Sequence, residues 1–529
     1  MKKQLFYGDN LHILREYVKD ETIDLVYLDP PFNSKATYNV LFKEKSGEQS
    51  EAQITAFDDT WHWNIETENI FQELVMTAQP NIVEMMNSFR NFIGTNDMMA
   101  YLTMMAPRLI ELHRVLKDTG SIYLHCDTTA SHYLKILLDT IFGFTNFKNE
   151  IVWKRTTSHS DGTKYGRNYD VIFFYTKTTD YIWNQQYTEH KEEYIRRFSH
   201  KDEDGRRWTD DNLSAKGLSG GGYRYEYKGI EGYWRCPIDT MKKLDEENRL
   251  YYTSKGGIRI KRYLDENKGS PVQALWNDIN VINSQSGERL GYPTQKPEGL
   301  LERIIKSSSN EGDIVLDPFC GCGTAISVAE KLNREWIGID ITHLAVNLMK
   351  FRMKDTYGLE PDKDYEIHGE PKDIDGARDL ALLDRYQFEW WSVSLIKAKP
   401  YGGKKKGADS GIDGVLFFQE SDGKARKVIV QIKSGHTSVS HIRDLGRVIE
   451  REHAAIGIYI CLEEPTKPMI KEAAEMGFYV SQGWGKNYPK CQILTIEQLL
   501  HGEEPKIPET QAFHSQAIKV DKDTQQDLF

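Results

Sequence analysis

Short apolar runs alternate with longer helix-like stretches over residues 1–178. IDLVYLD (23–29), GSIYLHCD (120–127) and YDVIFFYTK (169–177) read as buried strands, and MMAYLTMMAPRLIELHRVLK (98–117) reads as a helix between them. Such alternation predicts a parallel or mixed sheet with helices on its faces. From 179 to 290 the pattern breaks: apolar runs shrink, and Tyr, Trp, Arg, Lys and Asp interleave, as in RRFSHKDEDGRRW and GGIRIKRYLDENKG. Strand and helix patterns return over 291–358 in DIVLDPF, AISVAEKL and WIGIDIT. The polar, Pro-containing segment 359–376 reads as a linker. A smaller α/β region is expected over 377–502, with VLFFQ, KVIVQIK, AIGIYICL and QILTI as strands around two helices, followed by a flexible polar tail at 503–529.

Composition narrows the class. A length of 529 residues suits two to four domains at roughly 100–200 residues each. With Lys plus Arg at 68 and Asp plus Glu at 79, the net charge of −11 excludes a histone-like protein that holds nucleic acid by bulk charge. Enzymes that concentrate positive charge in one groove remain open. No run approaches the ~18–20 apolar residues of a membrane span. MKKQLFYGDN reaches Asp9 before any apolar signal core forms, and six scattered cysteines fit no disulfide framework. A cytoplasmic protein with reduced thiols is expected.

The first candidate chemistry sits where the strand IDLVYL runs into Asp29-Pro30-Pro31-Phe32. Two prolines remove backbone donors and fix the turn, so the Asp29 carboxylate and the Pro30 carbonyl project together at the strand's carboxyl end. Phe32 adds a flat apolar face. Two acceptors and a ring suit an exocyclic amino group on a flipped-out base. Its nitrogen lone pair is conjugated into the ring, and acceptors that favour a pyramidal nitrogen help the transition state more than the ground state.

The second piece is DIVLDPFCGCGT (313–324), a strand followed by Asp317, Gly321 and Gly323 and opening into a helix. Glycines let the backbone approach a ligand, and the helix start offers N–H donors. The next strand, WIGID, ends in Asp340, 23 residues after Asp317, where an acid can accept ribose hydroxyls. A nicotinamide enzyme would fit a Gly-rich turn equally; Asp317 ahead of it and the FCGCG form favour S-adenosylmethionine.

With YGDNLHIL (7–14), LKDTGSIYLHCD (116–127), NEIVWKR (149–155) and YPTQKPEGLLERII (292–305), these motifs make residues 1–355 resemble the amino-group DNA methyltransferases of the permuted β class, and among them the type III modification subunits. The resemblance implies a Rossmann-like S-adenosylmethionine-dependent methyltransferase with an inserted target-recognition region at 179–290. It implies that Asp29, Pro30, Pro31 and Phe32 hold the target base. Asp317, Phe319, Gly321, Gly323 and Thr324 would line the cofactor, Asp340 would bind its ribose, and Asp9 and Thr294 would also face it. Asp before the two prolines favours adenine N6 over cytosine N4. Cytosine C5 chemistry is disfavoured because the chain has no Pro-Cys dipeptide. A protein glutamine or an RNA base would suit the same acceptors; the interleaved aromatic and basic residues of 179–290 argue for double-stranded DNA.

The third constellation is DSGIDGVLFFQESDGKARKVIVQIK (409–433), two apolar strands about a polar Asp422-Gly423 turn. Asp413 opens the first strand, and Gln431 and Lys433 share one face near the end of the second. Asp413 with a further carboxylate, of which Glu389 in RYQFEWWSVSLI is the best placed, would hold Mg²⁺ while Lys433 steers a water or the scissile phosphate. GIDG followed by a strand ending QIK resembles the Mrr-type restriction endonucleases of the PD-(D/E)xK superfamily. The resemblance implies a small α/β nuclease domain in which neutral Gln431 replaces the superfamily's usual acid. The lysines of IKAKPYGGKKKG (396–407) would add phosphate attraction.

QQDLF (525–529) resembles the pentapeptide that docks bacterial proteins on the replication sliding clamp, through Gln525, Leu528 and Phe529. Homodimerisation is a further expectation. No GxxxxGK[ST] phosphate loop occurs, so no ATP-driven translocase is recognisable. The expectation is a single-chain restriction-modification enzyme. The alternatives are a methylase whose nuclease-like domain only grips DNA, and a clamp-recruited scaffold.

Overall fold

Strands buried on both faces need no polar alternation, and the unbroken apolar runs of the sequence lie at the centre of one sheet. The structure is a computed structural model and describes residues 3–31, 37–43, 49–58, 62–157, 162–163, 165–217, 221–283, 286, 288, 290, 294–401, 411–420, 425–481 and 485–508. One compact unit comprises 1–184 with 274–529, and a second comprises 185–273.

In the first unit a nine-stranded sheet runs in the order Leu275–Trp276, Phe147–Lys154, Tyr169–Thr176, Leu116–Cys126, Ile23–Leu28, Ile314–Asp317, Glu335–Asp340, Gln4–Tyr7, Glu366–His368. Tyr169–Thr176 is antiparallel to both neighbours, and the other pairings are parallel. Every residue of Ile23–Leu28 is buried. The helices Asn10–Tyr17, Asp97–Val115, Glu298–Ser308, Thr324–Lys331 and His343–Tyr357 belong to this layer. At the centre, four adjacent parallel strands end on one side in Asp29, Asp317, Asp340 and the Gly8-Asp9 turn.

A five-stranded sheet follows in the same unit, ordered Lys399–Pro400, Gly414–Gln419, Ala425–Lys433, Ile456–Cys461, Cys491–Thr495. The first two pairings are antiparallel and the last two parallel. Beside the two helices expected around it, Val439–Arg451 and Lys467–Glu475, the helix Arg385–Leu395 packs on this sheet through Phe388 and Trp391.

The second unit has a four-stranded antiparallel sheet, Leu250–Tyr252, Ile258–Tyr263, Arg207–Asn212, His200–Lys201, and a hairpin, Tyr223–Tyr227 with Ile230–Trp234. Leu213, Trp234, Met241, Leu250 and Ile260 share its small core. Among the described residues no helix is long and apolar enough to cross a membrane.

Two expected boundaries shift. The separate unit is 185–273 rather than 179–290, because Leu275–Trp276 adds to the edge of the large sheet beside Phe147–Lys154. The segment 359–376 is not a free linker: Glu366–His368 pairs in parallel with Gln4–Tyr7, and the helix Ile374–Leu383 begins inside it. Gly369 closes that edge strand with φ +86, and a Cβ there would lie 2.1 Å from the Tyr7 carbonyl oxygen. Gly369→Ala is therefore expected to lower unfolding stability by on the order of 1–3 kcal/mol, measured by urea or thermal unfolding; a free linker would tolerate the change.

Candidate functional site

The cleft at the carboxyl ends of the central strands has a volume of about 300 Å³ and is lined by Asp29, Pro30, Pro31, Thr294, Asp317, Phe319, Gly321, Thr324 and Asp340. Sequence reasoning had dispersed these residues over more than 300 positions, and the sheet order brings them together. Asp29 leaves the strand Ile23–Leu28 at the two prolines, and its side chain is 15% exposed. Its Oδ2 accepts a hydrogen bond from Lys296 Nζ, which also reaches the Thr294 carbonyl at 3.4 Å. Oδ1 is buried and has no hydrogen-bond partner among the described residues. A buried acceptor left unpaired is costly, so this oxygen suits a hydrogen-bond donor. Lys296 was missed in the sequence; its signal was the lysine of the TQKP run.

Asp317 and Asp340 are acids confined by backbone amides. Asp317 Oδ1 accepts from Phe319 N at 3.1 Å. Burial pushes its carboxyl well above the usual range, and Asp29 and Asp340 push the same way while Lys296 opposes. Asp340 Oδ2 accepts from Gly321 N at 2.9 Å, and Oδ1 accepts from Thr342 N and Oγ1, each at 2.9 Å. Burial raises its carboxyl and these donors pull it back. Asp340 Oδ1 is filled by its two donors, but Asp340 Oδ2 and the Asp317 carboxylate keep acceptor positions, so the residues fit a ligand carrying ribose hydroxyls and a positive charge.

Gly321 and Gly323 turn the chain with φ of 49 and 71. Gly323 does not line the cleft as expected. It is the N-cap of Thr324–Lys331, where a Cβ would lie 2.4 Å from Met349 Cγ. Arg352 braces the turn, its Nη2 bonded to Glu298 at 2.7 Å.

Asp9 lines the cleft, but both its oxygens are engaged. Oδ1 caps Asn10–Tyr17 through Leu11 N at 2.8 Å, and Oδ2 accepts from Arg108 Nη2 at 2.6 Å. Arg108 Nε also donates to Asn10 Oδ1 at 2.6 Å, and Asn10 Nδ2 donates to the Pro318 carbonyl at 2.7 Å. Asn10 therefore ties the first helix to the Gly-rich turn while Asp9 caps that helix and holds Arg108, and buried Arg108 is a member of the site that sequence reasoning did not anticipate. Phe32 lies outside the described residues.

The second constellation also assembles. Asp413 immediately precedes the strand Gly414–Gln419; its N donates to the Val430 carbonyl at 2.8 Å and its Oδ2 accepts from Ile432 N at 2.6 Å. It is thereby pinned opposite Gln431, which is 7% exposed and whose Oε1 is buried without a partner among the described residues. Glu389 Oε1 accepts from Arg385 Nε at 3.0 Å. Burial and then the Asp413 charge push the Glu389 carboxyl up to about 7, with Arg385 and Lys433 opposing. Two carboxylates in mutual repulsion beside an unpaired amide oxygen form an oxygen donor set that fits a hard divalent cation. Among the described residues no three His, Cys, Asp or Glu cluster to hold a metal. The Asp422-Gly423 turn, the lysines 404–406 and the tail residues Gln525, Leu528 and Phe529 lie outside the described residues.

The two constellations meet at a helix pair. His343 N donates to Gln387 Oε1 at 3.0 Å, and Asn347 Nδ2 donates to the Trp390 carbonyl at 3.2 Å.

Residues 23–351 match the DNA methylase family and residues 380–480 match the restriction endonuclease family. The type II methyltransferase M.EcaI of Enterobacter cloacae is 32% identical over 272 residues, 50% of this chain and 60% of that protein. The Mod subunit of the type III restriction-modification enzyme StyLTI of Salmonella typhimurium is 29% identical over 351 residues, 62% of this chain and 50% of that protein. The EcoP15I Mod subunit of Escherichia coli is 23% identical over 386 residues, 63% of this chain and 56% of that protein. The chain thus spans between 50% and 60% of the length of these relatives. The first match covers more than half of the chain and contains the whole of the Asp29 and Asp317 strands, so this protein belongs to the DNA methylase family and carries a restriction-endonuclease domain at 380–480.

Proposed function

We propose that this chain methylates the exocyclic amino group of a flipped base in double-stranded DNA, adenine N6 in preference to cytosine N4, and that its carboxyl-terminal domain cuts DNA with Mg²⁺. The observation that carries the first part is the unpaired, buried Asp29 Oδ1 in a cleft shared with Asp317, Gly321 and Asp340. Asp29 and the Pro30 carbonyl accept the two amino N–H bonds, and Lys296 fixes the Asp29 carboxylate so that one oxygen faces the base. Asp340 takes the ribose hydroxyls, and Asp317 with the Gly-rich turn holds the amino-acid end of S-adenosylmethionine. That cofactor supplies an electrophilic methyl group on a positively charged sulfur. The acidic walls favour a cation.

Residues 185–273 are the part that reads DNA. Tyr223, Tyr233 and Tyr252 stand exposed on them near Arg224 and Arg259, which supports groove and phosphate contacts. In the nuclease domain Asp413, Glu389 and Gln431 Oε1 would hold Mg²⁺, and Lys433 would orient a water or the scissile phosphate. A second reading, in which this domain only grips DNA, is favoured by the neutral Gln431 and by the Arg385–Glu389 ion pair, both of which weaken a cation site.

Modified-base sequencing of DNA from a methylase-free host expressing the Lys433→Ala form tests the chemistry and names the motif. Methyladenine confined to one short motif is expected; N4-methylcytosine would keep the mechanism and change the base. Asp29→Ala is expected to reduce methylation at least 100-fold, at the ~10²–10³ scale of one lost stabilising group, while calorimetry finds cofactor binding intact. Lys433→Ala, or chelation of Mg²⁺ by EDTA, is expected to abolish cleavage of plasmid DNA and spare methylation. Intact methylation without Mg²⁺-dependent cleavage in the wild type would select the gripping role.

A further inference from the structure

The strand Ile23–Leu28 delivers Asp29 to the cleft, and two positions earlier, on the same side, it delivers Tyr27. Tyr27 is 2% exposed and lines the cleft with Asp29 and Asp317. Its hydroxyl lies 3.0 Å from His125 Nδ1, on the neighbouring strand Leu116–Cys126. His125 Nε2 lies 3.2 Å from Asp170 Oδ2, on the next strand, Tyr169–Thr176. His125 is fully buried and Asp170 is 1% exposed. Arg155, half of whose side chain reaches solvent, lies 3.6 Å from Asp170 Oδ1. A file of polar groups therefore crosses the sheet from the methyl-transfer cleft toward the surface.

The polarity of the file follows from its charges. Burial alone would raise the Asp170 carboxyl, but the His125 ring and the cations Arg155 and Lys296 hold it below its usual value. Beside an ionised Asp170 a neutral His125 carries its proton on Nε2, and in that tautomer Nδ1 accepts and the Tyr27 hydroxyl donates. Burial, then Asp29, Asp317 and Asp170, push the Tyr27 hydroxyl well above its usual range, so it stays protonated. Its oxygen keeps lone pairs for the cleft.

Methyl transfer to an amino group leaves the nitrogen with one proton too many. We propose that Tyr27, His125 and Asp170 form the proton exit of the methyl-transfer site, an inference that rests on the amino-group reading above. The amino nitrogen uses its lone pair to bond the methyl carbon, and the C–S electron pair stays on sulfur. The surplus N–H bond then breaks with its electrons returning to nitrogen. Its proton goes to the Tyr27 oxygen as the Tyr27 proton goes to His125 Nδ1. The imidazolium so formed is paired with Asp170, and after the product leaves its Nδ1 proton returns through the Tyr27 hydroxyl to water in the emptied cleft, which restores the starting tautomer. Lys296 holds Asp29 Oδ2 and Asp29 Oδ1 orients the amino group, whereas Tyr27, in the same cleft, heads a file of groups that can take the proton up.

The test uses the full chain and a duplex carrying the methylated motif. Tyr27→Phe removes only the hydroxyl, and His125→Gln keeps a donor and an acceptor but cannot take up a proton. Both are expected to lower kcat at least tenfold, with KM for DNA, the dissociation constant for S-adenosylmethionine, the 2-aminopurine signal of base flipping and the thermal midpoint near wild type. Asp170→Asn is expected to behave alike, and Asp170→Glu to recover part of the rate. Wild-type kcat in either Tyr27→Phe or His125→Gln, or a loss carried by KM or by base flipping with kcat unchanged, overturns the proton exit. Should one variant fail to fold, the other decides alone. A wild-type protein that methylates no base amino group overturns the amino-group reading and the exit together; an active wild type with unimpaired variants overturns the exit alone.

Discussion

Asp29, Asp317 and Asp340 stand at the carboxyl ends of three adjacent parallel strands and face a single cleft. Carboxylates gathered in a partly buried space repel one another and lose hydration, so each must be held by something. The holding groups explain most of the local architecture. Phe319 N, Gly321 N and Thr342 N take the cofactor-side acids, and the positive φ of Gly321 is what turns its N–H toward Asp340. Lys296 takes one oxygen of Asp29, and the other has no partner among the described residues. Arg108, tied to Asp9 and Asn10, fixes the first helix against the same turn. The acidic cleft thus presents acceptors that suit a cation and hydrogen-bond donors, gathered there by the strand order.

Much of this frame was legible in the sequence because its strands are buried on both faces. IDLVYLD, GSIYLHCD, DIVLDPF and WIGIDIT each become a strand of the large sheet, and their terminal acids fall where the runs end. Pairing that depends on distant chain was not legible. Glu366–His368 is three residues long, and only the amino-terminal strand Gln4–Tyr7 gives it a partner. In 185–273 the strands of the main sheet are two to six residues long and bury one face over a small core, so no run announced them.

The site residues missed in the sequence share one property: each reaches its partner across the fold. Lys296 meets Asp29 over 267 positions, Arg108 meets Asp9 over 99, Tyr27 meets His125 over 98, and His125 meets Asp170 over 45. No spacing rule links them. A weaker signal did exist, because Tyr27, His125 and Asp170 each interrupt an apolar run with a titratable group. A polar side chain inside a two-sided strand has to find a partner within the protein, so three such interruptions in neighbouring strands already ask to be joined.

The same reasoning applies to the junction of the two candidate sites. Asp340 ends a strand, Thr342 caps the helix His343–Tyr357 that follows, and that helix receives Gln387 and the Trp390 carbonyl from Arg385–Leu395. Glu389 sits between those two contacts on the same helix. Tyr7, at the end of the amino-terminal strand, stacks on His343 with ring centroids 3.6 Å apart, and burial with the charges of Asp384, Glu370 and Asp340 pushes its hydroxyl up to about 12. Upstream, the segment 359–376 is anchored at both ends, by an edge strand on one sheet and by a helix that packs into the core of the next. The helix that carries a candidate metal ligand is therefore docked on the element that follows the candidate ribose acid. Removing the carboxyl-terminal domain would strip hydrogen-bond partners from His343 N and Asn347 Nδ2, on the helix that follows Asp340. Point substitutions inside each constellation leave this junction intact and are the changes that separate them.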